Sequence, residues 1–447
     1  MTKRTRTILF LICLALFFLV APTSIFYSQG YRFDFDSKRI TQTGGLFLKV
    51  EPKQVEIYLT PLDSEHLTGR DGKFKKKTDF FFGSALIENL LPKKYKVEVK
   101  KEGYLPWEKN LEIKERQVTE VKNIVLFSEN PTFNILTAGT PSGYPDFWFS
   151  PDEEKIILFE GSEMGWALKL YDLEKHVKSH LIGEKDIYPK GADLLNLEFS
   201  KDSKEIYLDV GMKEQEKNFV LNLEKVPPVL TEKEIAASSE NIVISQNFNG
   251  ESYYLDNFGH LFKNPSVAKG EDEDKAFIDY GEKLTEKPFP VKSETEYTLD
   301  IFQNFMFLGE GQNLYLFSPE LKSFEKFFEG VRDLKISPDS KKLVYFSDSE
   351  IWILFLKDQN LPTTHRRGDK VLLLRLSEKI NDVFWLNSDY LIFNTGDKIK
   401  IVEIDDRDRI NIVDIAEFKN PQIFFSQTLK KLYILSEGTI YASVALF

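Results

Sequence analysis

The strongest pattern in the sequence is a long apolar run near the N-terminus. It extends from Ile8 to Tyr27 and follows a basic flank that contains Lys3, Arg4 and Arg6. About 20 apolar residues form roughly 30 Å of helix, which is long enough to cross a lipid bilayer. The pattern therefore predicts a transmembrane helix.

The charge around this run predicts its orientation. Basic flanks tend to stay in the cytoplasm, so we expect residues 1–7 to be a cytoplasmic tail and residues 8–27 to span the membrane. Residues 28–39 would then be a linker to an exported body. A cleaved signal peptide is the alternative, since the most apolar part of the run is also short enough for that role.

Residues 40–130 show apolar residues at a period of two, as in strands with one buried face. Leu46–Val50, Val55–Leu59 and Tyr95–Val99 are the clearest examples. Segments with Pro and Gly separate these strands, as turns require. We therefore predict a small β-sandwich of six or seven short strands.

The second half of this region resembles the PEGA domain, a small β-sandwich module of surface proteins. The matching stretch is LIENLLPKKYKVEVKKEGYLPWEKNLEI, and the residues that carry the match are Leu91, Pro92, Tyr95, Val97, Val99, Gly103 and Tyr104. Earlier, Pro52, Val55 and Ile57 also match. The sequence departs from the family where Lys53 and Gln54 replace a Gly-Ala pair and where Lys94 replaces a turn Gly. The resemblance implies a sandwich over residues 40–130 in a cell-surface protein.

Residues 131–447 contain a repeated strand–turn–strand pattern. The copies are DFWFSPDEEKIILFEG (146–161), NLEFSKDSKEIYLDVG (196–211), DLKISPDSKKLVYFSD (333–348), DVFWLNSDYLIFNTGD (382–397) and QIFFSQTLKKLYILSEG (422–438). A third strand follows each pair, so strand triplets recur about every 40 to 50 residues, which is the spacing of propeller blades. Two divergent copies fit between residues 236 and 328. The pattern predicts an all-β propeller of about seven blades, with six or eight left open.

Three of these copies resemble the WD40-like PD40 repeats of exported TolB-type propellers. The matches are Phe149-Ser150-Pro151-Asp152, Phe199-Ser200-Lys201-Asp202 and Ile336-Ser337-Pro338-Asp339. The family usually has Gly after that Asp. Here Glu153, Ser203 and Ser340 stand in its place, which leaves the turn type open. The resemblance implies a protein of the bacterial or archaeal cell envelope.

A propeller must close its ring of blades. The chain ends in the apolar segment Thr439–Phe447, and Phe133–Thr137 precedes the first repeat. We predict that Phe133–Thr137 supplies the outer strand of the last blade, because this pairing would cover an exposed edge.

The composition narrows the range of functions. A formal net charge of −11 disfavours nucleic-acid binding, which requires a basic surface. The single cysteine, Cys13, lies in the apolar run, so disulfides and Cys-based metal sites are excluded. Leu11 and Ile12 precede it where a lipobox has a small residue, which disfavours lipidation.

Lysines make the sandwich region locally basic within an acidic protein. They are Lys73, Lys75, Lys76, Lys77, Lys93, Lys94, Lys96, Lys100 and Lys101. They could contact anionic lipid or a cell-wall polymer. They could equally be solvated positions on loops and on the outer faces of strands.

The sequence offers little that is typical of catalysis. No nucleophile elbow occurs, and His176 and His180 lack a further metal ligand. The acidic runs EDED (271–274) and DDRD (405–408) lack the spacing of known calcium loops. We therefore expect no catalytic residue, no bound metal and no cofactor.

Two tryptophans are the candidate ligand-binding residues. Trp148 and Trp385 occupy similar places in their repeats and could face a ligand, although packing between blades is the alternative. We expect a non-enzymatic, membrane-anchored binding or scaffold protein of the cell envelope, whose partner is an envelope protein or a cell-wall polymer. The alternative is an exported carbohydrate-active enzyme with carboxylates at the propeller channel.

Overall fold

The computed structural model describes most of the chain. The described residues are 3–34, 38–62, 74–137, 143–162, 165–187, 191–212, 215–225, 227–232, 242–264, 266–269, 276–279, 281–293, 295–360 and 362–446. The acidic run at 271–274 lies outside them. Apart from one N-terminal helix and one short 3₁₀ turn, Glu184–Asp186, the regular structure of these residues consists of β-strands.

Helix α1 (Lys3–Ser28) contains the predicted transmembrane segment. It begins within the basic flank, five residues before the predicted start, because Lys and Arg are good helix formers. It is long and apolar enough to span a membrane, and none of its most apolar window is buried in the protein. A signal sequence near an N-terminus would have the same properties.

The segment predicted as a linker, residues 28–39, includes one strand of a hairpin and the start of the other. Strands β1 (Tyr31–Asp34) and β2 (Arg39–Gln42) pair in an antiparallel ladder. The hairpin is tied to the following domain by Arg32, which donates to Oδ1 of Asn89 at 2.9 Å, and by an ion pair of 3.1 Å between Asp34 and Lys93. The helix is therefore followed by a pair of strands that contacts the next domain.

The next seven strands form two sheets. They are β3 (Gly44–Glu51), β4 (Glu56–Pro61), β5 (Phe74–Lys77), β6 (Ser84–Leu90), β7 (Lys94–Lys100), β8 (Trp107–Glu112) and β9 (Val118–Val125). One sheet has the order β6-β3-β9, and the other has the order β5-β4-β7-β8. The alternating apolar residues of both sheets meet in one core that includes Leu48, Ile57 and Val97, all fully buried.

Tyr95 shows why this domain needs a Tyr at the start of β7. Its ring is 3% exposed within the core, and its hydroxyl donates to the carbonyl of Leu91 at 3.1 Å. The ring thus fills the core while its polar end closes the Leu-Pro turn, as a buried Tyr requires.

Seven four-stranded sheets occupy the rest of the described chain. Strand β10 (Phe133–Thr137) comes first. Sheet A contains β11 (Asp146–Phe149), β12 (Lys155–Ser162), β13 (Gly165–Asp172) and β14 (Val177–Gly183), and sheet B contains β15 (Asp193–Phe199), β16 (Glu205–Met212), β17 (Gln215–Asn222) and β18 (Val229–Glu232). Sheet C contains β19 (Ile242–Phe248), β20 (Glu251–Asp256), β21 (Leu261–Lys263) and β24 (Glu282–Lys283), with an additional hairpin of β22 (Ser266–Lys269) and β23 (Ala276–Asp279).

The remaining sheets repeat the same order of strands. Sheet D contains β25 (Tyr297–Phe302), β26 (Phe305–Glu310), β27 (Asn313–Ser318) and β28 (Ser323–Glu329), and sheet E contains β29 (Asp333–Ile336), β30 (Lys342–Phe346), β31 (Glu350–Phe355) and β32 (Lys370–Arg375). Sheet F contains β33 (Ile380–Asn387), β34 (Tyr390–Thr395), β35 (Lys398–Glu403) and β36 (Ile412–Glu417), and sheet G contains β37 (Gln422–Ser426), β38 (Lys431–Ser436) and β39 (Thr439–Ser443). Apolar cores lie between sheets A and B, C and D, D and E, E and F, and F and G, as in a β-propeller.

Sheet G confirms the predicted closure. Its fourth strand is β10, which pairs antiparallel with β39 through Phe133 opposite Ser443. A core between sheets G and A contains Tyr433 and Ile156. The first strand of the region therefore completes the last sheet and joins the two ends of the ring.

The Ser-x-Asp turns keep the geometry that a glycine would give. Glu153, Ser203 and Ser340 have φ values of 60°, 60° and 56°. In the first turn the Ser150 hydroxyl donates to Asp152 at 2.5 Å and accepts from the Lys155 backbone N–H at 3.0 Å. This side-chain scaffold holds a left-handed position without Gly.

Candidate functional site

A cavity of about 590 Å³ lies among the first strands of sheets A, B, F and G. Each of these strands is the inner strand of its sheet, so the cavity lies where the axis of the ring passes. Trp148 from β11 and Glu198 from β15 line one side, and Asp382 from β33 lines the other.

Half-buried aromatic rings form an arc along this wall. Phe424 of β37 stacks in parallel on Phe149 of β11 with 3.8 Å between ring centroids, and it meets Phe384 of β33 edge-on at 5.4 Å. Trp148, the residue before Phe149 in β11, also lines the cavity, but it packs toward sheet B and meets Phe159 edge-on at 6.5 Å. The arc thus joins sheets F, G and A, and it presents partly exposed ring surface to the cavity.

Trp148 and Trp385, the two predicted candidates, lie on opposite faces of their sheets. Trp148 pairs across the strand with Ile157 and packs in the core toward sheet B. Trp385 pairs with Leu391 and packs in the core toward sheet E, where its Nε1 donates to the Lys335 carbonyl at 2.9 Å. Trp385 is only 4% exposed. The two tryptophans therefore do not occupy equivalent positions in their sheets. Phe384, one residue before Trp385, is the residue of β33 that faces in the same direction as Trp148.

Carboxylates from three successive sheets influence one another near the axis. Burial raises the pKa of Asp300 on β25, and the nearby charge of Asp333 on β29 adds to this. Burial also raises the pKa of Asp382, although Lys335 opposes it. The ammonium group of Lys335 lies 3.0 Å from Asp333 and 3.9 Å from the centre of the Phe384 ring. Of these groups, Asp382 and Phe384 line the cavity, so its wall combines aromatic surface with a carboxylate that can accept hydrogen bonds.

A second assembly of polar residues joins the small domain to sheet F. Glu403, at the end of β35, is 3% exposed. Its carboxylate accepts from Trp107 Nε1 at 2.8 Å and from Asn411 Nδ2 at 2.8 Å. The Nζ atom of Lys109 lies 2.5 Å away, and it also donates to the Asp405 carbonyl at 2.6 Å. Every polar group of this buried set thus has a partner.

Apolar packing surrounds this polar set. Phe127 meets Tyr390 edge-on at 5.5 Å, and the hydroxyl oxygen of Tyr390 accepts from the Val125 backbone N–H at 3.1 Å. Val125 and Phe127 share one core with residues of sheets F and G. Burial raises the pKa of Tyr390 well above its ordinary value, so the ring stays neutral. The small domain is therefore docked firmly on sheet F.

The acidic run 405–408 belongs to this junction. Arg407 pairs with Asp405 at 2.7 Å and donates to the Glu120 carbonyl at 3.0 Å. Burial would by itself raise the pKa of Asp405, but Arg407 and Lys109 outweigh burial and hold it below its ordinary value. Asp408 accepts from the Asn110 backbone N–H at 3.1 Å. The run is a docking element rather than a free acidic loop.

A cleft of about 240 Å³ separates the small domain from sheets E and F beside the junction. His365 stacks on Phe355 with 4.0 Å between centroids, and its Nε2 lies 2.8 Å from the Thr363 hydroxyl. That hydroxyl donates to Asp406 at 2.8 Å. The Thr363 hydroxyl therefore lies between the imidazole of His365 and the carboxylate of Asp406.

His176 and His180 lie apart from these sites. His176 lies 3.3 Å from the Tyr171 hydroxyl, and His180 lies 3.6 Å from Asp186. Across the residues that the structure describes, no group of three or more His, Cys, Asp or Glu side chains could hold a metal ion.

Comparisons with known proteins add little to this geometry. No family model and no curated protein matches the sequence. The β-propeller domain of Cps50 (Swd1) from Myceliophteria thermophila is 13% identical and covers 71% of this chain and 100% of that chain, with a TM-score of 0.41. A catalytically inactive virginiamycin B lyase from Staphylococcus aureus, crystallised with quinupristin, gives the same values. YCF48 from Cyanidioschyzon merolae is 9% identical and covers 70% and 98%, with a TM-score of 0.41. Because these TM-scores are low, the assignment of a propeller architecture rests on the sheets of this chain alone.

Proposed function

We propose that this chain is a non-enzymatic binding protein of the cell envelope, anchored in the membrane by α1 with its body outside the cytoplasm. The observation that carries the proposal is the aromatic arc beside a cavity of about 590 Å³. The seven four-stranded sheets are the blades of a seven-bladed propeller that presents this cavity. The small domain is a PEGA-like sandwich that acts as a stalk.

The junction supports the role of the small domain as a stalk. A connection held by one short peptide would let the propeller move freely relative to the membrane. Here Lys109, Trp107 and Glu403 form a buried polar set within an apolar interface. The propeller is thus held in a fixed orientation to the anchor, which suits a platform that receives a partner on one side.

The chemistry of the cavity favours a glycan as the ligand. Sugar rings present C–H groups that pack on aromatic faces, and hydroxyl groups that donate to carboxylates. Trp148 and Phe424 offer the first kind of contact, and Glu198 and Asp382 offer the second. A pocket with apolar walls and a few polar groups is typical of small-ligand sites.

Binding of a defined oligosaccharide tests the proposal. A tetrasaccharide of N-acetylglucosamine and soluble peptidoglycan fragments would be titrated calorimetrically into the detergent-solubilised full chain. We expect Trp148→Ala and Glu198→Gln each to weaken binding by about tenfold, as the loss of one good contact does. Glu325→Gln, on the exposed outer strand of sheet D, is the matched control. Equal affinity for all three variants would contradict a glycan site in this cavity.

A carbohydrate-active enzyme is the second candidate, because burial raises the pKa of both Asp300 and Asp382. A carboxyl group that holds its proton can act as a general acid toward a glycosidic oxygen. The same oligosaccharides, incubated with the chain, would then release new reducing ends. This release would stop in Asp382→Asn, and it would replace the proposal of a binding protein with that of a hydrolase.

A further inference from the structure

The turn between β5 and β6 exposes three consecutive aromatic side chains. Phe80, Phe81 and Phe82 are 64%, 74% and 74% exposed. The turn has a defined shape, because the Asp79 carboxylate accepts from the Phe82 and Ser84 backbone N–H groups at 2.5 and 2.9 Å. Soluble proteins seldom expose such a group of large apolar side chains without a partner for it.

The exposed apolar surface continues from this turn toward α1. Leu86, on the outer face of β6, is 41% exposed. At the far end of β6, Asn89 binds the hairpin that follows α1, and the hairpin carries the cross-strand pair of Phe33 and Ile40. These two residues are 47% and 71% exposed. Strand β6 spans roughly 20 Å at 3.3 Å per residue. Leu86 therefore lies on a line between the Phe80–Phe82 turn and the hairpin that follows α1, and the exposed Glu88 interrupts the apolar surface of this line.

This line lies on the edge of the small domain that faces away from the propeller. Strands β5 and β6 are edge strands of their sheets, and β8 and β9 form the opposite edges. The junction with sheet F uses Trp107 and Lys109 of β8 and Val125 of β9. Within the described residues, the propeller therefore contacts the opposite edge of the small domain rather than the β5–β6 edge.

Basic side chains flank the aromatic turn. Lys49 is exposed and stands opposite Ser84, the residue that opens β6, and Lys53 is exposed beside Gly83. On β5, Lys75 and Lys77 are 51% and 68% exposed, although Glu56 pairs with both. Aromatic and cationic side chains together suit a bilayer interface with anionic headgroups.

We infer that the β5–β6 edge lies on the surface of the bilayer that α1 enters, with the Phe80–Phe82 turn inserted among the lipids. The inference rests on the proposed anchor. It gives the anchor a second contact, so that the small domain lies along the membrane and holds the propeller at a fixed tilt. A peripheral contact of this kind is weak alone and effective beside a transmembrane helix.

Depth-dependent quenching tests the inference on the full chain. Cys13 is the single cysteine, so Cys13→Ser provides a cysteine-free background. Phe81→Cys in that background would be labelled with an environment-sensitive fluorophore and reconstituted into vesicles of phosphatidylcholine and phosphatidylglycerol. Phe258→Cys, at a turn of sheet C, is the matched control because Phe258 is 69% exposed. We expect nitroxide-labelled lipids to quench the label at position 81 several-fold more than the label at position 258.

Two readouts separate this inference from the anchor. Resistance to carbonate extraction reports on α1, and quenching reports on the β5–β6 edge. If the protein resists carbonate extraction but the labels at positions 81 and 258 are quenched equally, the edge contact is wrong and the anchor stands. Extractable protein overturns the anchor and the inference together. Unchanged thermal midpoints of the labelled variants would show that both remain folded.

Discussion

The ammonium nitrogen of Lys109 lies 2.5 Å from a carboxylate oxygen of Glu403, and the side chains are 0% and 4% exposed. The two residues belong to different domains. Glu403 also accepts from Trp107 at 2.8 Å, so the pair is the centre of the junction between the small domain and sheet F. Such a pair fixes geometry more than it adds stability, because both charges were removed from water to form it.

Removing one charge of this pair is expected to be costly. Lys109→Met leaves the Glu403 carboxylate buried without its counter-ion, which should lower the free energy of unfolding by about 3–5 kcal/mol. The double variant Lys109→Met, Glu403→Gln removes both charges and should recover part of that loss. The midpoint of urea denaturation, followed in detergent by tryptophan fluorescence, measures both changes.

A surface pair on the adjacent strand provides the comparison. Lys122 lies 2.6 Å from Glu120, but the two side chains are 49% and 29% exposed. Lys122→Met should therefore cost less than about 1 kcal/mol. If Lys109→Met and Lys122→Met lower the free energy of unfolding by the same amount, the pair of Lys109 and Glu403 is not buried in solution.

Equivalent positions in two Ser-x-Asp turns should respond with opposite signs to glycine. Ser340 has a φ of 56°, so Ser340→Gly relieves left-handed strain and should stabilise the protein by up to about 1 kcal/mol. Glu153→Gly relieves the same strain but loses a carboxylate that accepts from the Ser426 hydroxyl at 2.6 Å and the Thr428 backbone N–H at 2.8 Å. We expect a net loss of about 2 kcal/mol for Glu153→Gly. If the thermal midpoints of Ser340→Gly and Glu153→Gly move in the same direction, this predicted difference is wrong.

The local parts of the fold were readable from the sequence. The alternation in the small domain and the repeats each follow from spacing along a short stretch of chain, whereas the closing strand β10 was predicted from the need to cover an exposed edge. The turns were also recognisable, although the left-handed φ at Glu153 became visible only in the structure. Local rules carried these predictions, because strand pairing of near neighbours depends on local pattern.

The junction could not be predicted in the same way. It joins residues of β8 and β9 to the loop after β35, and no short-range pattern links them. One signal was present, because Lys109 falls on the apolar face of β8 between Trp107 and Leu111. A charged residue at a buried strand position calls for a partner, but the sequence does not say which of 70 acidic residues supplies it.

The candidate site shows how sensitive such predictions are to register. Trp148 lines the cavity, whereas Trp385 packs toward a neighbouring sheet, and a ligand-binding role for either residue stays a prediction. Trp148 is the third residue of the copy that begins at Asp146, and Trp385 is the fourth residue of the copy that begins at Asp382. A shift of one residue sends a side chain to the other face of the sheet. The aromatic arc depends on Phe149, Phe384 and Phe424, which looked like ordinary core residues in the sequence.

The closure of the ring depends on two glycines in contact. Gly438 follows β38 at a φ of 74°, and a Cβ on Gly143 would lie 2.8 Å from its Cα. Gly438→Ala adds a collision to the left-handed strain and should destabilise the protein by about 2–4 kcal/mol. Gly311→Ala, at a φ of 55° with open space around it, should cost about 1–2 kcal/mol from strain alone. If Gly438→Ala and Gly311→Ala shift the urea midpoint equally, Gly438 and Gly143 are not in contact and the two ends of the ring lie farther apart than in this structure.

The raised pKa of Asp300 predicts how stability changes with pH. Burial and the charge of Asp333 raise this pKa above the ordinary value of 3.8, so the folded protein binds a proton more tightly than the unfolded chain. The free energy of unfolding should therefore fall as the pH rises above 3.8, and the loss should persist at neutral pH. Asp300→Asn cannot ionise, so we expect it to be more stable than the natural protein at neutral pH and to lose that advantage in acid. Urea midpoints across the pH range measure this, with Asp193→Asn at an exposed position of β15 as the control. An advantage of Asp300→Asn that did not depend on pH would show that charge at this position is not the cause.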